Sequence, residues 1–202
     1  MILKKRNKKI CVVINSRANY ARVKSLLVEI KKNKKLELIL ILGASAMLYR
    51  FGEVDKIIKK DNFKIDEILF SVIEGNDLIG MPKTTGLSII ELSNILKKRK
   101  PDLVVAVADR YENLSIAISA SYMNIPVAHI QGGEVSGTID ESLRHGMSKF
   151  SNFHFTATQE TKKRLIKMGE LKQNIFVVGC PSIDALKQEK EETKEIISKK
   201  FN

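Results

Sequence analysis

The sequence predicts an α/β fold, a doubly wound parallel sheet with helices on both faces. Three observations carry that expectation. Short runs rich in Val, Ile and Leu recur along the chain, helical patterns alternate with them, and several runs are apolar throughout, as strands covered on both faces must be. A chain of 202 residues with 44% apolar content is long enough to bury one core without disulfides or metal. A closed eight-fold barrel is disfavoured, since such barrels need roughly 250 residues.

The elements follow in order. ICVVI at 10–14 is the first strand, and Val23, Leu26, Leu27 and Ile30 then form one helical stripe after Asn19 as the expected cap. LELILIL at 36–42 and IDEILF at 65–70 are the next strands. A helix from Thr85 to Lys100 is stopped by Pro101, whose ring cannot continue it. LVVAV at 103–107, a helix at 112–123, VAHI at 127–130 and a helix at 138–149 follow. FHFTA at 153–157, a helix at 160–168 ended by Gly169, and IFVV at 175–178 complete the pattern. Beyond Pro181 the composition shifts to ALKQEKEETKEIISKK. The expected organisation is therefore one α/β domain over 1–182 and a charged helical tail or truncated inter-domain linker over 183–202.

The formal charge is +12, which invites a nucleic-acid reading. Yet 27 of the basic residues are Lys and only eight are Arg, and many Lys stand in helix tails such as KKNKK and LKKRK. Base readout favours the planar arginine fork, and lysines at helix C-termini complement the macrodipole. Nucleic acid is thus an unlikely partner by expectation. Cys11 and Cys180 form no CxxC pair and lack a His at metal-ligand spacing, so neither a metal nor a redox motif is expected. The N-terminal ICVVI is too short for a signal core, and no run approaches a membrane span. A cytoplasmic protein without membrane association is the expectation.

In open parallel sheets ligands sit beyond the carboxyl ends of the strands. The loops there read NSRANY, ADRYEN, QGGEVSGTIDE and GCPS. The first is not GxGxxG, so no dinucleotide cofactor is expected. Arg17 stands at a helix start, where backbone donors and a guanidinium together suit a diphosphate, or else it is a surface arginine. Asp109 is either a functional acid or the cap of the next helix, and Glu112 is read as an ordinary first-turn acid. Gly132 and Gly133 permit a positive-φ turn and close ligand approach, with Glu134 projecting from it. Thr138 and Glu141 match a capping box. Asp140 precedes Arg144 by one turn, which allows a simple ion pair. His129 and His154 read as satisfied core residues, and His145 is left open.

The run HIQGGEVSGTIDESLRH, with ADRYENL upstream and VVGCPSIDAL downstream, resembles the UDP-N-acetylglucosamine 2-epimerases, in their hydrolysing branch of sialic-acid and legionaminic-acid type. The resemblance spans about residues 9–186 and corresponds to the N-terminal, Rossmann-like half of a GT-B-type two-domain fold. It implies elimination of UDP from the sugar followed by hydration to an N-acetylmannosamine-type product, with a UDP-sugar as ligand and no cofactor. It also implies either self-association or a separate C-terminal half. By motif Asp109 and Asp140 match the family's catalytic acids, with Arg17, Arg144, His145, Gly132 and Gly133 around the substrate, and Glu134 is the candidate to serve as acid in place of the residue at 131. One departure stands out: where many members have HIE, this sequence has HIQ, placing Gln131 at a carboxylate position. An amide cannot shuttle a proton, so a binding module without turnover is the alternative.

Overall fold

A computed structural model of the chain describes residues 6–75, 78–188 and 198. Seven parallel strands form one sheet in the order β3-β2-β1-β4-β5-β6-β7. These are β1 (Lys8–Ile14), β2 (Leu36–Gly43), β3 (Glu67–Leu69), β4 (Leu103–Val107), β5 (Val127–Ile130), β6 (Phe153–Thr156) and β7 (Ile175–Val177). The helices are α1 (Arg17–Lys32), α2 (Val54–Lys60), α3 (Gly80–Arg99), α4 (Tyr111–Tyr122), α5 (Ile139–Lys149), α6 (Gln159–Lys167) and α7 (Pro181–Gln188). The chain winds outward from β1 to β3, then crosses back so that β4 pairs with β1. That reversal opens a crevice at the carboxyl ends of β1 and β4.

Alternation along each strand divides the core. Val12, Leu40 and Val105 face α1 and α2 through Val23, Leu27 and Ile58, while Cys11, Ile39 and Val104 face α3, α4 and α5 through Leu92, Ile116 and Met147. All seven expected strands are present, the 65–70 run being trimmed to three residues. On the α1/α2 face, α7 packs against α1, and a groove of about 460 Å³ beside it is lined by Ile10, Leu103, Ala128, Phe155 and Val178. Arg22 lines this groove and so points away from the strand-end loops.

Several helix boundaries differ from expectation for identifiable reasons. Ser16 caps α1, accepting the Asn19 N–H at 3.1 Å, because Asn19 turns its own carboxamide inward to Asn113. α3 begins at Gly80 rather than Thr85. Its polar first turns are satisfied internally: Ile73 N–H donates to Thr84 Oγ1 at 2.8 Å, and Thr85 donates to the Met81 carbonyl at 3.0 Å. Helix α2 and two short 3-10 turns at 44–47 and 49–51 lacked a clear periodic signal. Gly169, at φ +92°, follows the end of α6 as expected. Lys31 and Lys32 close α1, and Lys97, Lys98 and Arg99 close α3, where the dipole favours them. The expected charged helix is seen as far as Gln188; the rest of it, apart from Ser198, lies outside the described residues. Among the described residues no helix is long and apolar enough to cross a membrane.

Cys11 is fully buried, and burial first, then the charge of Asp66, pushes its thiol up to about 12. Cys180 is partly exposed. A chromogenic disulfide reagent should therefore titrate one thiol in the native protein and both in denaturant. Rapid reaction of two thiols without denaturant would contradict this packing.

Candidate functional site

The carboxyl edge of the sheet is built from strained turns. β2, β4 and β5 are each followed by a non-glycine residue in the left-handed region: Ala44 at φ 46°, Ala108 at 61° and Gln131 at 63°. Such residues cost about 1–3 kcal/mol each and persist only where the surroundings over-determine them. Here the restraint is visible. The Ala108 N–H donates to the Ile130 carbonyl at 3.0 Å, and the Gln131 N–H donates to the Phe155 carbonyl at 2.8 Å. The turns after β4 and β5 are thereby pinned to the next strand, and the residues that follow leave the sheet plane in a fixed direction.

Asp109 follows the Ala108 turn and meets Arg144 of α5 in a direct ion pair. Arg144 is 4% exposed, and its other terminal nitrogen donates to the Glu134 carbonyl at 2.7 Å. This pairing replaces both simpler alternatives. Asp109 is not the cap of α4, since Arg110 holds that position, and Arg144 pairs with Asp109 rather than with Asp140. Asp140 is half-buried in the first turn of α5. It also acts on Arg110: burial alone would lower that guanidinium, but Glu112 first, with Tyr111 and Asp140, raises it. Asp109 and Arg144 thus meet at the rim, with Asp140 one turn before Arg144 on α5.

The 131–138 loop is held by several independent contacts. Gly133 has φ +79°, and a Cβ there would lie 2.7 Å from the Thr161 carbonyl oxygen. Gly132 does not share the positive φ expected of it; its missing side chain instead makes room for His129, whose Nδ1 would lie 2.9 Å from a Cβ. Arg164 donates to the Gly133 carbonyl. Thr138 is the cap of α5 without a side-chain bond, so the expected capping box is not formed. Glu141 instead accepts the Ser136 and Gly137 N–H groups at 2.8 Å each, and those backbone donors, Gly137 foremost, hold its carboxyl below the usual range. Glu134 is half-buried at the rim.

Gln131 is 7% exposed, with Nε2 facing Cys180 Sγ at 3.5 Å and Oε1 buried without a partner among the described residues. His145 Nδ1 is likewise buried and unpartnered, while its Nε2 stands 3.9 Å from Glu141. Arg17 begins α1 at the same sheet edge. It is exposed and lies over Gly52, where a Cβ would come within 3.3 Å of Nη1, so its neighbour is the 49–52 turn.

Sequence reasoning missed a buried carboxamide cluster below this rim. Asn15 donates to Asn113 at 2.9 Å, and Asn113 donates to the Val107 carbonyl at 2.6 Å and to Asn19 at 3.5 Å. The three join the loops after β1 and β4. Their one sequence signal was position, since asparagines after apolar strands read equally well as solvated loop. Glu112 was also undervalued: it is 1% exposed and holds Arg110 at 3.2 Å.

Fold and rim together define a doubly wound α/β domain that presents acids and guanidinium groups at its topological switch point, where such folds place their ligands. Comparison with known proteins narrows the class. A family model described as UDP-N-acetylglucosamine 2-epimerase matches residues 28–202. The chain is 34% identical over 194 residues to a UDP-N,N'-diacetylbacillosamine 2-epimerase (hydrolyzing) of Legionella pneumophila, covering 96% of this chain and 52% of that protein. It is 37% identical over 173 residues to a GDP/UDP-N,N'-diacetylbacillosamine 2-epimerase (hydrolyzing) of Campylobacter jejuni, covering 85% and 45%. The fold matches a UDP-GlcNAc 2-epimerase from Neisseria meningitidis bound to UDP-GlcNAc, with TM-score 0.78, 24% identity, and coverage of 89% and 48%. The chain belongs to the UDP-N-acetylglucosamine 2-epimerase family, and it spans about half the length of the curated relatives it matches.

His129 ties the rim to pH. It is fully buried, with Nε2 at 2.8 Å from the Ala108 carbonyl oxygen and Nδ1 at 3.1 Å from Ser148 Oγ. Burial above all lowers its pKa from 6.5 to about 4. The folded value lies below the unfolded one, so this contribution to stability is present above pH 6.5 and is lost as the pH falls toward 4. His154 is lowered too, by burial, and adds with the same sign. Urea titrations should show His129 costing about 3 kcal/mol of stability across that interval. In His129→Asn the slope over the same interval should flatten; an unchanged slope would assign the loss to other groups.

Proposed function

We propose that this chain is the N-terminal, sugar-side half of a hydrolysing UDP-sugar 2-epimerase. Its reaction would be loss of UDP from the sugar followed by addition of water to give an N-acetylmannosamine-type product. The observation that carries this reading is the ion pair of Asp109 with the buried Arg144, one turn after Asp140 on α5, at the switch-point rim in a chain of this family. Removing the proton from the carbon that bears the acetamido group as UDP leaves the adjacent carbon, and then activating water, requires two carboxyl groups in reach of one ring. Asp109, fixed by the buried Arg144, and Asp140, less constrained, fit a division into base and acid. Glu134 is the third acid of the rim. Gln131 in this reading binds and does not carry protons.

Arg17 and the start of α1 are assigned to the diphosphate, because N–H groups at a helix start and a guanidinium both favour phosphate oxygens. Gly132 and Gly133 keep the 131–138 loop low, and His145 stands beside it as a substrate contact. Domain limits of 1–182 with a following linker agree with the change of composition after Pro181. We place the protein in the reducing cytoplasm, consistent with two free cysteines. Coverage of about half of each relative supports completion by a second half or by another copy of the chain. Gln131 favours a second reading, a sugar-nucleotide-binding module without turnover.

Calorimetry with a UDP-sugar, paired with an assay for released UDP, separates the two readings. In the chain assembled with its missing half, Asp109→Asn or Asp140→Asn should slow UDP release by about 10²–10⁴, the usual worth of an acid/base group. Full activity in both variants would remove these carboxyl groups from the mechanism. Binding without UDP release, even in that assembly, would establish the module.

A further inference from the structure

In a parallel sheet with helical crossovers, helix C-termini and strand starts share one edge, so residues far apart in sequence are gathered there by folding. Three segments meet at the centre of that edge: residues 6–9, 31–37 and 97–102, at or before the starts of β1, β2 and β4. These strands are neighbours in the order β2-β1-β4, and the segments touch. Lys8 N–H donates to the Lys35 carbonyl at 2.9 Å, and Lys9 Nζ donates to the Arg99 carbonyl at 3.5 Å. Together they carry eleven Lys and Arg against two acids, Glu37 and Asp102, a surplus of nine in a chain whose total is +12. The neighbouring segment 59–67, which leads into β3, is balanced, with three of each sign.

The helix dipole accounts for part of this clustering only. Each helix C-terminus carries about half a negative charge, so α1 and α3 together offset about one of the nine. Helix α4 has no basic residue in its last turn, and Arg6, Lys8, Lys9, Lys34, Lys35 and Lys100 lie outside the helices. Asp102 holds Arg6 and Lys8, and Glu67 holds Lys98 and Arg99. Lys34, Lys35, Lys97 and Lys100 are exposed and pair with no carboxylate among the described residues. Both arginines are thus engaged, the free cations are lysines, and the three segments contain no aromatic residue. Base readout or strand binding calls for an arginine fork or a stacking ring, whereas a diffuse anionic surface is met by flexible point charges. None of the large exposed apolar side chains among the described residues lies in these segments. We propose that this edge is an electrostatic docking surface for an anionic lipid bilayer, on which the protein adsorbs without insertion. The lack of a membrane span concerns insertion; adsorption needs only the charge. The strands then run away from the bilayer, and the rim at their carboxyl ends stays open on the far side.

Sedimentation of the chain with lipid vesicles is the test. It should bind vesicles of phosphatidylcholine with about one third phosphatidylglycerol, ignore pure phosphatidylcholine, and be released at about 0.5 M salt, where screening is strong. A lysine near an anionic surface is worth about fivefold in affinity. Lys34→Gln with Lys35→Gln, and independently Lys97→Gln with Lys100→Gln, should therefore each weaken binding by about 25-fold. Lys83→Gln with Lys163→Gln removes the same charge from exposed sites elsewhere and should change binding by less than about threefold. No binding to anionic vesicles, equal binding to neutral ones, binding that survives both edge variants, or an equal loss in the Lys83 and Lys163 control overturns the proposal. Duplex and single-stranded oligonucleotides are then added as competitors at about 0.15 M salt. Displacement of the chain by an oligonucleotide at a phosphate concentration below that of the anionic lipid makes nucleic acid the partner and overturns the bilayer; retention on the vesicles supports it.

Discussion

A guanidinium buried as deeply as Arg144 is intolerable without partners, and the way it finds them organises the rim. Removing one member of a buried ion pair typically costs about 3–5 kcal/mol, since the other charge is left unpaired. Arg144 draws its partners from two loops: the Asp109 carboxylate after β4 and the Glu134 carbonyl after β5. α5 is thereby locked to both loops, and any shift of one would strand the charge. Asp109 is given a single orientation by that pairing.

Beneath that pair, the geometry depends on turns that local preference alone would not choose. Ala108 and Gln131 occupy left-handed backbone, where a Cβ is unwelcome, and both are held by hydrogen bonds to the neighbouring strand. His129 supports the first turn through the Ala108 carbonyl, and the absence of a side chain at Gly132 makes space for that imidazole. The Asn15–Asn113–Asn19 cluster does the equivalent on the β1 side. Strain at the rim is thus balanced by polar contacts in the layer below, a common division between functional and supporting residues.

The distribution of features across the sheet edge fits a chain that spans about half of its relatives. The charged rim is concentrated after β4 and β5, and the mixed polar and apolar cavity lies beside it after β2 and β3. The apolar groove occupies a different place, the face over β4–β7.

What the residues alone determined is the architecture. Apolar runs such as LELILIL and LVVAV have no stable place except between two helical layers, and Pro101 and Gly169 limit helices by covalent geometry, wherever the chain goes. The candidate loops were legible for the same reason, as polar segments following buried strands. Only the tertiary structure decided partnership. Asp140 lies one turn from Arg144 and was the natural partner by spacing, but Asp109, 35 positions away, reaches the same guanidinium because β4 and β5 are neighbours in the sheet. Likewise Asn19 reads as a cap until Asn113 lies within reach, and Glu112 as a surface acid until Arg110 and the β2 and β3 loops close over it. Sequence fixes what each residue prefers locally; which preference is satisfied depends on distances that arise once the sheet has assembled.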